Sequence, residues 1–324
     1  MRLLIAGGCG FIGSNFARFV LEHYQPEFVT NVDALTGAAN QENLTGIAER
    51  YGERYEFLQG DVADRDVING ILSKHRFYAV LNFAVESKLD LSISEPANFI
   101  HTNIVGTEVL LEAACEHGVK RFVQVSTDEV YGPPDAGGRF SEDSPVDPSS
   151  PYSASKASAD LLALAAYKTF GQEILVTRCC SNYGPYQSPK SPIPSMIVNA
   201  LADQKVSVCE DNLNVRDWIH VDDHCRALMA VLLEGRAGEV YNVGANTKLR
   251  NSEIAELVME RLGKPRGLIG PAEDPGDRGR AVDSSKIRSD LDWKPLRTAR
   301  EGLAETVDWY SENRDWWDRG ARKR

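Results

Sequence analysis

Two acids, a hydroxyl and a Tyr/Lys pair are the groups in this chain whose types and spacing could do chemistry. The run Arg121-Phe122-Val123-Gln124-Val125 opens onto Ser126-Thr127-Asp128-Glu129, and Ser150-Pro151-Tyr152-Ser153-Ala154-Ser155-Lys156 follows further along. The first run reads as a buried strand, which puts Thr127, Asp128 and Glu129 at its carboxyl end, where open α/β sheets hold their ligands. Tyr152 and Lys156 are four residues apart in a segment patterned as a helix over 153–167, so they share a face. An ammonium beside a phenol favours the phenolate, and Lys156 is expected to lower the Tyr152 pKa enough for proton abstraction near neutral pH. Taken singly these groups have ordinary explanations, since such pairs are common on helix surfaces and acids often open loops. Their weight depends on a cofactor site elsewhere.

The N-terminus supplies one. Leu3-Leu4-Ile5-Ala6 is a short apolar strand, and Gly7-Gly8-Cys9-Gly10-Phe11-Ile12-Gly13 turns it into a helix carrying Phe16, Phe19 and Val20. Gly7, Gly10 and Gly13 permit a tight turn, close approach to a pyrophosphate and packing of helix on strand, while the helix N-terminus offers N–H groups to the phosphates. Such turns also occur without ligands, but here Phe28-Val29-Thr30-Asn31-Val32 reads as a second strand ending in Asp33, about twenty residues past the last glycine. A carboxylate there accepts from both ribose hydroxyls and repels a ribose phosphate, so NAD is expected over NADP.

The elements that must carry these groups alternate. Residues 55–59 read as a strand leading to Asp61, residues 78–84 as one leading to Glu86 and Ser87, and 173–178 as a sixth; 64–75 and 94–117 have helical apolar spacing. The fold class is therefore α/β, a Rossmann-type doubly wound parallel sheet with a smaller C-terminal substrate-binding lobe. Residues 1–180 are expected to form the dinucleotide-binding domain, with later segments returning to it, and 181–324 mainly the lobe. Strands at 206–209 and 240–243 and helices at 222–233, 252–262 and 299–313 are assigned to that lobe. Trp309, Trp316 and Trp317 are expected to pack the last helix, and 319–324 to form a solvated tail.

Composition bounds the partners. With 324 residues, 42% apolar and 26% charged, the chain reads as a soluble globular protein, and its net charge of -11 speaks against nucleic acid or an anionic membrane as partner. Cys9, Cys115, Cys179, Cys180, Cys209 and Cys225 form no Cys-x-x-Cys pair and no ligand spacing with histidine, so they read as reduced thiols and no metal is expected. The chain opens directly on a strand and has no run long enough to span a membrane, which points to the cytoplasm. Asn43-Leu44-Thr45 is then a chance match to a glycosylation acceptor.

With these pieces assembled, the chain resembles the extended short-chain dehydrogenase/reductase superfamily, and within it the dTDP-glucose 4,6-dehydratases. The resemblance runs through 7–14, 82–87, 126–132, 150–156, Asn182-Tyr183-Gly184-Pro185 and Val215-Arg216-Asp217-Trp218, and its discriminating piece is Thr127-Asp128-Glu129. It implies an NAD-dependent lyase: Tyr152, assisted by Lys156 and Thr127, takes the sugar C4 hydroxyl proton while hydride passes to NAD, Glu129 removes the C5 proton, Asp128 protonates the departing C6 hydroxyl, and hydride returns to C6. One acid must arrive ionised and the other protonated, a split that neighbouring like charges impose. By the same resemblance Gly7, Gly10, Phe11, Ile12, Gly13, Asp33, Asp61, Val62, Phe83, Ala84 and Thr102 join Tyr152 and Lys156 in holding NAD. Ser87, Asn182, Arg216 and Asn251 face a nucleotide-diphosphate sugar, with Arg216 and Asn251 on the diphosphate, while Lys88, Lys190 and Arg280, where the chain departs from the family, would suit a more anionic substrate or a relocated phosphate contact. A homodimer built on the 102–117 and Tyr152 helices is implied too.

Departures from the family's pattern gather on the substrate side. Its Pro-Glu-Lys-Leu-Ile-Pro is here Pro189-Lys190-Ser191-Pro192-Ile193-Pro194; its Arg-Pro-Gly-His-Asp-Arg-Arg-Tyr is replaced by residues 274–281; its His after Glu-Ser is Lys88, and the first Asn of Ser-Asn-Asn is Ser181. They suggest a 4,6-dehydratase acting on a sugar or base other than dTDP-glucose. A nucleotide-sugar 4-epimerase or glucuronate decarboxylase, using only the oxidation half of the site, is the first rival. An NAD-binding scaffold without activity is the second. Asp128 and Glu129 weigh against both.

Overall fold

The computed structural model describes residues 1–37, 39–133, 139–208, 215–272 and 279–322, of which 319–322 by backbone alone. β1 (Arg2–Ala6) leads into α1 (Phe11–His23), β2 (Phe28–Asp33) into the short α2 (Ile47–Tyr51), and β3 (Tyr55–Gln59) into α3 (Arg65–Lys74). β4 (Ala79–Asn82) precedes α4 (Leu89–Ser94), α5 (Pro96–Phe99) and α6 (Gly106–Glu116), while β5 (Arg121–Thr127) and β6 (Glu173–Cys179) flank the long α7 (Pro151–Phe170). Then come β7 (Ser181–Tyr183), α8 (Pro192–Leu201), β8 (Val206–Val208), β9 (Val215–His220), α9 (Val221–Glu234) and β10 (Val240–Val243). The chain continues through β11 (Lys248–Arg250), α10 (Asn251–Leu262), β12 (Ile269–Pro271), α11 (Ser285–Leu291), α12 (Ala299–Glu312) and α13 (Arg314–Arg322).

Seven strands form one parallel sheet in the order β10-β6-β5-β4-β1-β2-β3. The order reverses between β1 and β4, so a crevice opens at their carboxyl ends, where doubly wound sheets take ligands. Both faces are covered, as the near-continuous apolar strands require. Phe16 and Val20 of α1 and Leu228 and Leu232 of α9 bury one face, and Ile68 of α3, Leu110 of α6 and Ala163 of α7 bury the other. A third core, with Ile197, Ile254, Val258, Leu303 and Tyr310, lies in the part built by α8, α10 and α12 around the three-stranded sheet β11-β9-β7 and the pair β12-β8.

Several expectations are corrected. Residues 240–243 and the 222–233 helix belong to the main sheet: Val240 pairs with Val176 of β6, and Cys225 and Leu228 share a core with Phe16. Periodicity tells that a segment is a strand or helix, not which open edge will bury it. The helical pattern over 94–117 is broken: Glu95, before Pro96, has φ -133° and ψ 55°, off the helical region that a following proline disfavours, and a wide π turn spans Ile100–Val105. Within the expected tail, residues 319–322 continue the last helix, and 323–324 lie outside the described residues. Among the described residues no helix is long and apolar enough to cross a membrane.

Candidate active site

The glycine turn has the geometry its sequence calls for. Gly7 has φ +81°, and a Cβ there would stand 2.4 Å from the Ala84 backbone nitrogen; one on Gly13 would stand 2.5 Å from the Gly7 carbonyl oxygen. No side chain caps the start of α1, whose N-cap is Gly10. Phe83 is tied to β1 by its N–H to the Ala6 carbonyl at 2.8 Å, and Ala84 N–H donates to Asn82 Oδ1 at 3.1 Å, which lays the β4 end against the turn.

Asp33 ends β2 as expected. Its Oδ2 accepts from Cys9 N–H and its Oδ1 from Leu35 N–H, both at 2.8 Å. Burial and Glu86 push its carboxyl up against those two bonds. Asp61 accepts from Ala63 N–H at 2.9 Å and faces His101 Nε2 at 2.8 Å; Val62 is buried against Gly106, and Thr102 lies in the π turn. Asn43 is buried and its amide donates to the Cys9 carbonyl, an interior role at odds with glycan attachment.

Tyr152 owes its place to a helix start written in sequence. Ser150 and Ser153 form a capping box and Pro151 takes the first helical position, so Tyr152 stands in the first turn of α7, beside the carboxyl end of β5. Thr127 caps the next turn by accepting from Glu129 N–H at 3.2 Å, and its hydroxyl lies 3.4 Å from Asp128 Oδ1 and pulls the Tyr152 phenol down. Burial pushes the Asp128 carboxyl up to about 7; Arg280 and Arg216 pull it down and Glu129 pushes it up.

One expectation about this cluster fails. The Tyr152 phenol is pushed up, by burial first and then by the Glu129 and Asp128 carboxylates. The Lys156 ammonium donates to the Val125 carbonyl at 2.7 Å, and burial draws its own pKa down to about 8, with Asp160 acting the other way. Helical spacing puts two side chains on one face but does not say which acceptor the longer one reaches.

The substrate-side residues fall into two groups. Asn182, Arg216 and the residue before Asn251 ride on β7, β9 and β11 of one small sheet, in which Arg216 lies opposite Leu249. Asp217 turns away from Arg216 and accepts from Thr247 and Asn246 N–H. Arg280 donates to the Gly132 carbonyl at 3.0 Å and directs its charge at Asp128. Ser87, Lys88 and Lys190 are exposed on the loops before α4 and α8. Of the 274–281 departure, 274–278 lie outside the described residues.

Sequence reading missed the supports beneath the site. Asp160, one turn beyond Lys156, forms a buried pair with Arg178 at 2.9 Å. Its four-residue spacing from Lys156, in an otherwise apolar stretch, was the available signal. Asn103 accepts from Glu86 N–H and donates to Ser155 Oγ, both at 2.8 Å, tying α7 to the β4 loop. Asn182 is held by His224 Nδ1 at 2.9 Å while its amide donates to Cys179 Sγ at 3.2 Å. Neither histidine nor cysteine here carries a local pattern that would have exposed it.

A family model described as GDP-mannose 4,6 dehydratase matches residues 4–306. A dTDP-glucose 4,6-dehydratase of Streptomyces niveus is 45% identical over 98% of this chain and 95% of its own length. The crystal structure of a dTDP-glucose 4,6-dehydratase from Streptomyces venezuelae, with NAD and TYD bound, matches with a TM-score of 0.92 at 42% identity, covering 98% of this chain and 99% of that one. A UDP-glucose 4-epimerase from Thermotoga maritima, solved with UDP-glucose, shares the fold at 29% identity and a TM-score of 0.88, over 96% and 99% of the two chains. With likeness of that extent added to a glycine turn shaped for a dinucleotide, the chain belongs to the GDP-mannose 4,6 dehydratase family of the extended short-chain dehydrogenases/reductases.

Proposed function

We infer that the protein is an NAD-dependent nucleotide-sugar 4,6-dehydratase, a lyase that converts a nucleoside-diphosphate hexose to its 4-keto-6-deoxy form. The observation that carries this is the cluster at the end of β5, where a buried Asp128 with a pKa raised to about 7 sits beside Glu129 and Thr127, near enough to Tyr152 that both carboxylates push its phenol up. The residues fit NAD: a glycine turn packed so tightly at Gly7 and Gly13 that neither has room for a Cβ, the start of α1 without a side-chain cap, and the buried Asp33 suit a pyrophosphate and a ribose. NAD, when bound, supplies the hydride acceptor at the sugar's C4 and the donor at C6.

Tyr152 receives the C4 hydroxyl proton, and Thr127 orients the same oxygen. Glu129 takes the C5 proton, made acidic by the C4 carbonyl, and Asp128 gives its proton to the C6 hydroxyl so that water leaves; Glu129 gives the proton back to C5 as C6 is reduced. Lys156 holds the ribose side through its fixed place at Val125. Arg216 and Asn182 of the small sheet, with Asn251 at the start of α10, take the diphosphate. Ser87, Lys88, Lys190 and Arg280 complete the substrate side, with Arg280 also tuning Asp128.

Relatives named for dTDP-glucose make that sugar the first to test, and the altered residues Lys88, Lys190 and Ser191 motivate a wider panel of nucleotide hexoses. The experiment is to incubate the protein with each and identify the product by mass spectrometry. A 4-keto-6-deoxy sugar is expected; an epimer or a pentose in its place overturns the reading. Glu129→Gln separates the dehydratase from the epimerases that share its fold. It should slow product formation by roughly 10²–10⁴-fold while reduced nicotinamide accumulates, whereas an epimerase would keep its rate. The protein acts in the cytoplasm as a homodimer joined through the helices around α6 and α7.

A further inference from the structure

The loop after β7 is held in a conformation that a side chain disfavours. Tyr186 has φ +63°, in the left-handed region. Its ring sits in a box of other groups: the Arg18 guanidinium carbon is 4.5 Å from its centroid, and the Trp309 and Trp316 rings are 4.7 and 5.8 Å away. Both neighbours are pinned. The Pro185 carbonyl accepts from Asn15 Nδ2 at 2.9 Å, and the Gln187 carbonyl accepts from the Tyr310 hydroxyl. Gln187 in turn donates through Nε2 to the Asn182 carbonyl at 3.0 Å.

These anchors belong to different parts of the molecule. Asn15 and Arg18 are on α1, the helix that begins at the glycine turn, while Trp309 and Tyr310 are on α12 and Trp316 on α13. Trp316 Nε1 donates to Asn43 Oδ1 at 3.2 Å, and Asn43 donates to the Cys9 carbonyl of the glycine turn at 3.0 Å. The loop is thus clasped between the cofactor helix and the C-terminal helices, with Tyr186 at the centre.

We propose that Tyr186 is a positioning residue, a clasp that fixes the 184–191 loop and, through Gln187, Asn182 against α1, so that a nucleoside diphosphate meets a preformed pocket. This rests on the reading above that Asn182 faces the diphosphate. Preorganisation of this kind acts on binding, because the cost of ordering the loop is met before the ligand arrives. The groups of the reaction itself sit on β5 and α7, outside the clasp.

The test compares wild type with Tyr186→Gly and Tyr186→Phe. Glycine takes the left-handed conformation freely, so the first variant removes the ring and relaxes the backbone without a folding penalty from φ; the second keeps the ring. For the nucleotide sugar that wild type converts, KM should rise about tenfold in Tyr186→Gly with kcat within about twofold, and Tyr186→Phe should restore the wild-type KM. An unchanged KM in a folded Tyr186→Gly, or equal impairment of both variants, overturns the clasp. Calorimetric titration with thymidine diphosphate needs no turnover and separates the two readings. A wild type that binds the diphosphate but converts no sugar sinks the dehydratase reading, whereas equal affinities of wild type and Tyr186→Gly sink the clasp.

Discussion

In the proposed reaction, Asp128 is the residue on which the division of labour between the two acids would turn. It is buried at the end of β5, and that burial, more than Glu129, holds its proton near neutral pH; Arg280 and Arg216 work the other way. A general acid must arrive protonated, so the elimination step should weaken as pH rises through about 7. Arg280→Gln removes the largest charge that lowers this pKa, and the alkaline limb of the kcat profile should move up by about one pH unit. A limb that stays in place or moves down would show that Asp128 is not the titrating acid. That Asp128, Glu129 and Tyr152 would come together was legible in sequence, because the end of a buried strand and a helix start are both marked by residue type. Their electrostatics were not, because burial and the Glu129 and Asp128 carboxylates raise the Tyr152 pKa, and spacing did not say that Lys156 reaches the Val125 carbonyl.

At the scale of elements, α7 shows which part of the architecture local sequence encodes. Its start, with the Ser150 and Ser153 capping box and Pro151, and its end at Gly171 with φ +69°, are written in residues with known conformational preferences. Its underside is not. Asp160 and Arg178 have side chains 0% and 4% exposed, and Arg178 also lies 4.8 Å over the Tyr131 ring. Only the pairing of α7 with β6 brings them together, and no spacing rule links residues on separate elements. Asp160→Ala would leave the Arg178 charge buried without its partner and should cost about 3–5 kcal/mol in urea unfolding. The double variant Asp160→Ala, Arg178→Met removes both charges and should recover part of that loss. A single variant as stable as wild type would mean that water reaches the guanidinium.

For the molecule as a whole, alternation made the parallel sheet legible, yet it could not say that β10 would close one edge or that α9 would share a core with α1. A surface left apolar is equally invisible to periodicity, and one lies on the helices that flank the site. Leu161 on α7 is 58% exposed, Ile100 in the π turn 53% and Ile93 on α4 71%, and these elements pack on one another. Apolar side chains gathered on adjacent helices are what a two-fold interface buries, and such an interface meets itself, so one substitution acts twice. Leu161→Glu would place paired carboxylates in an apolar contact, a juxtaposition worth several kcal/mol. Sedimentation should then show wild type as a dimer of the 35.8 kDa chain and the variant as a monomer. Because Leu161 points away from the core that holds Ala159 and Ala163, the variant should keep its far-UV spectrum and its affinity for NAD. A wild type that sediments as a single chain, or a variant that remains a dimer, would rule out this face as the seam.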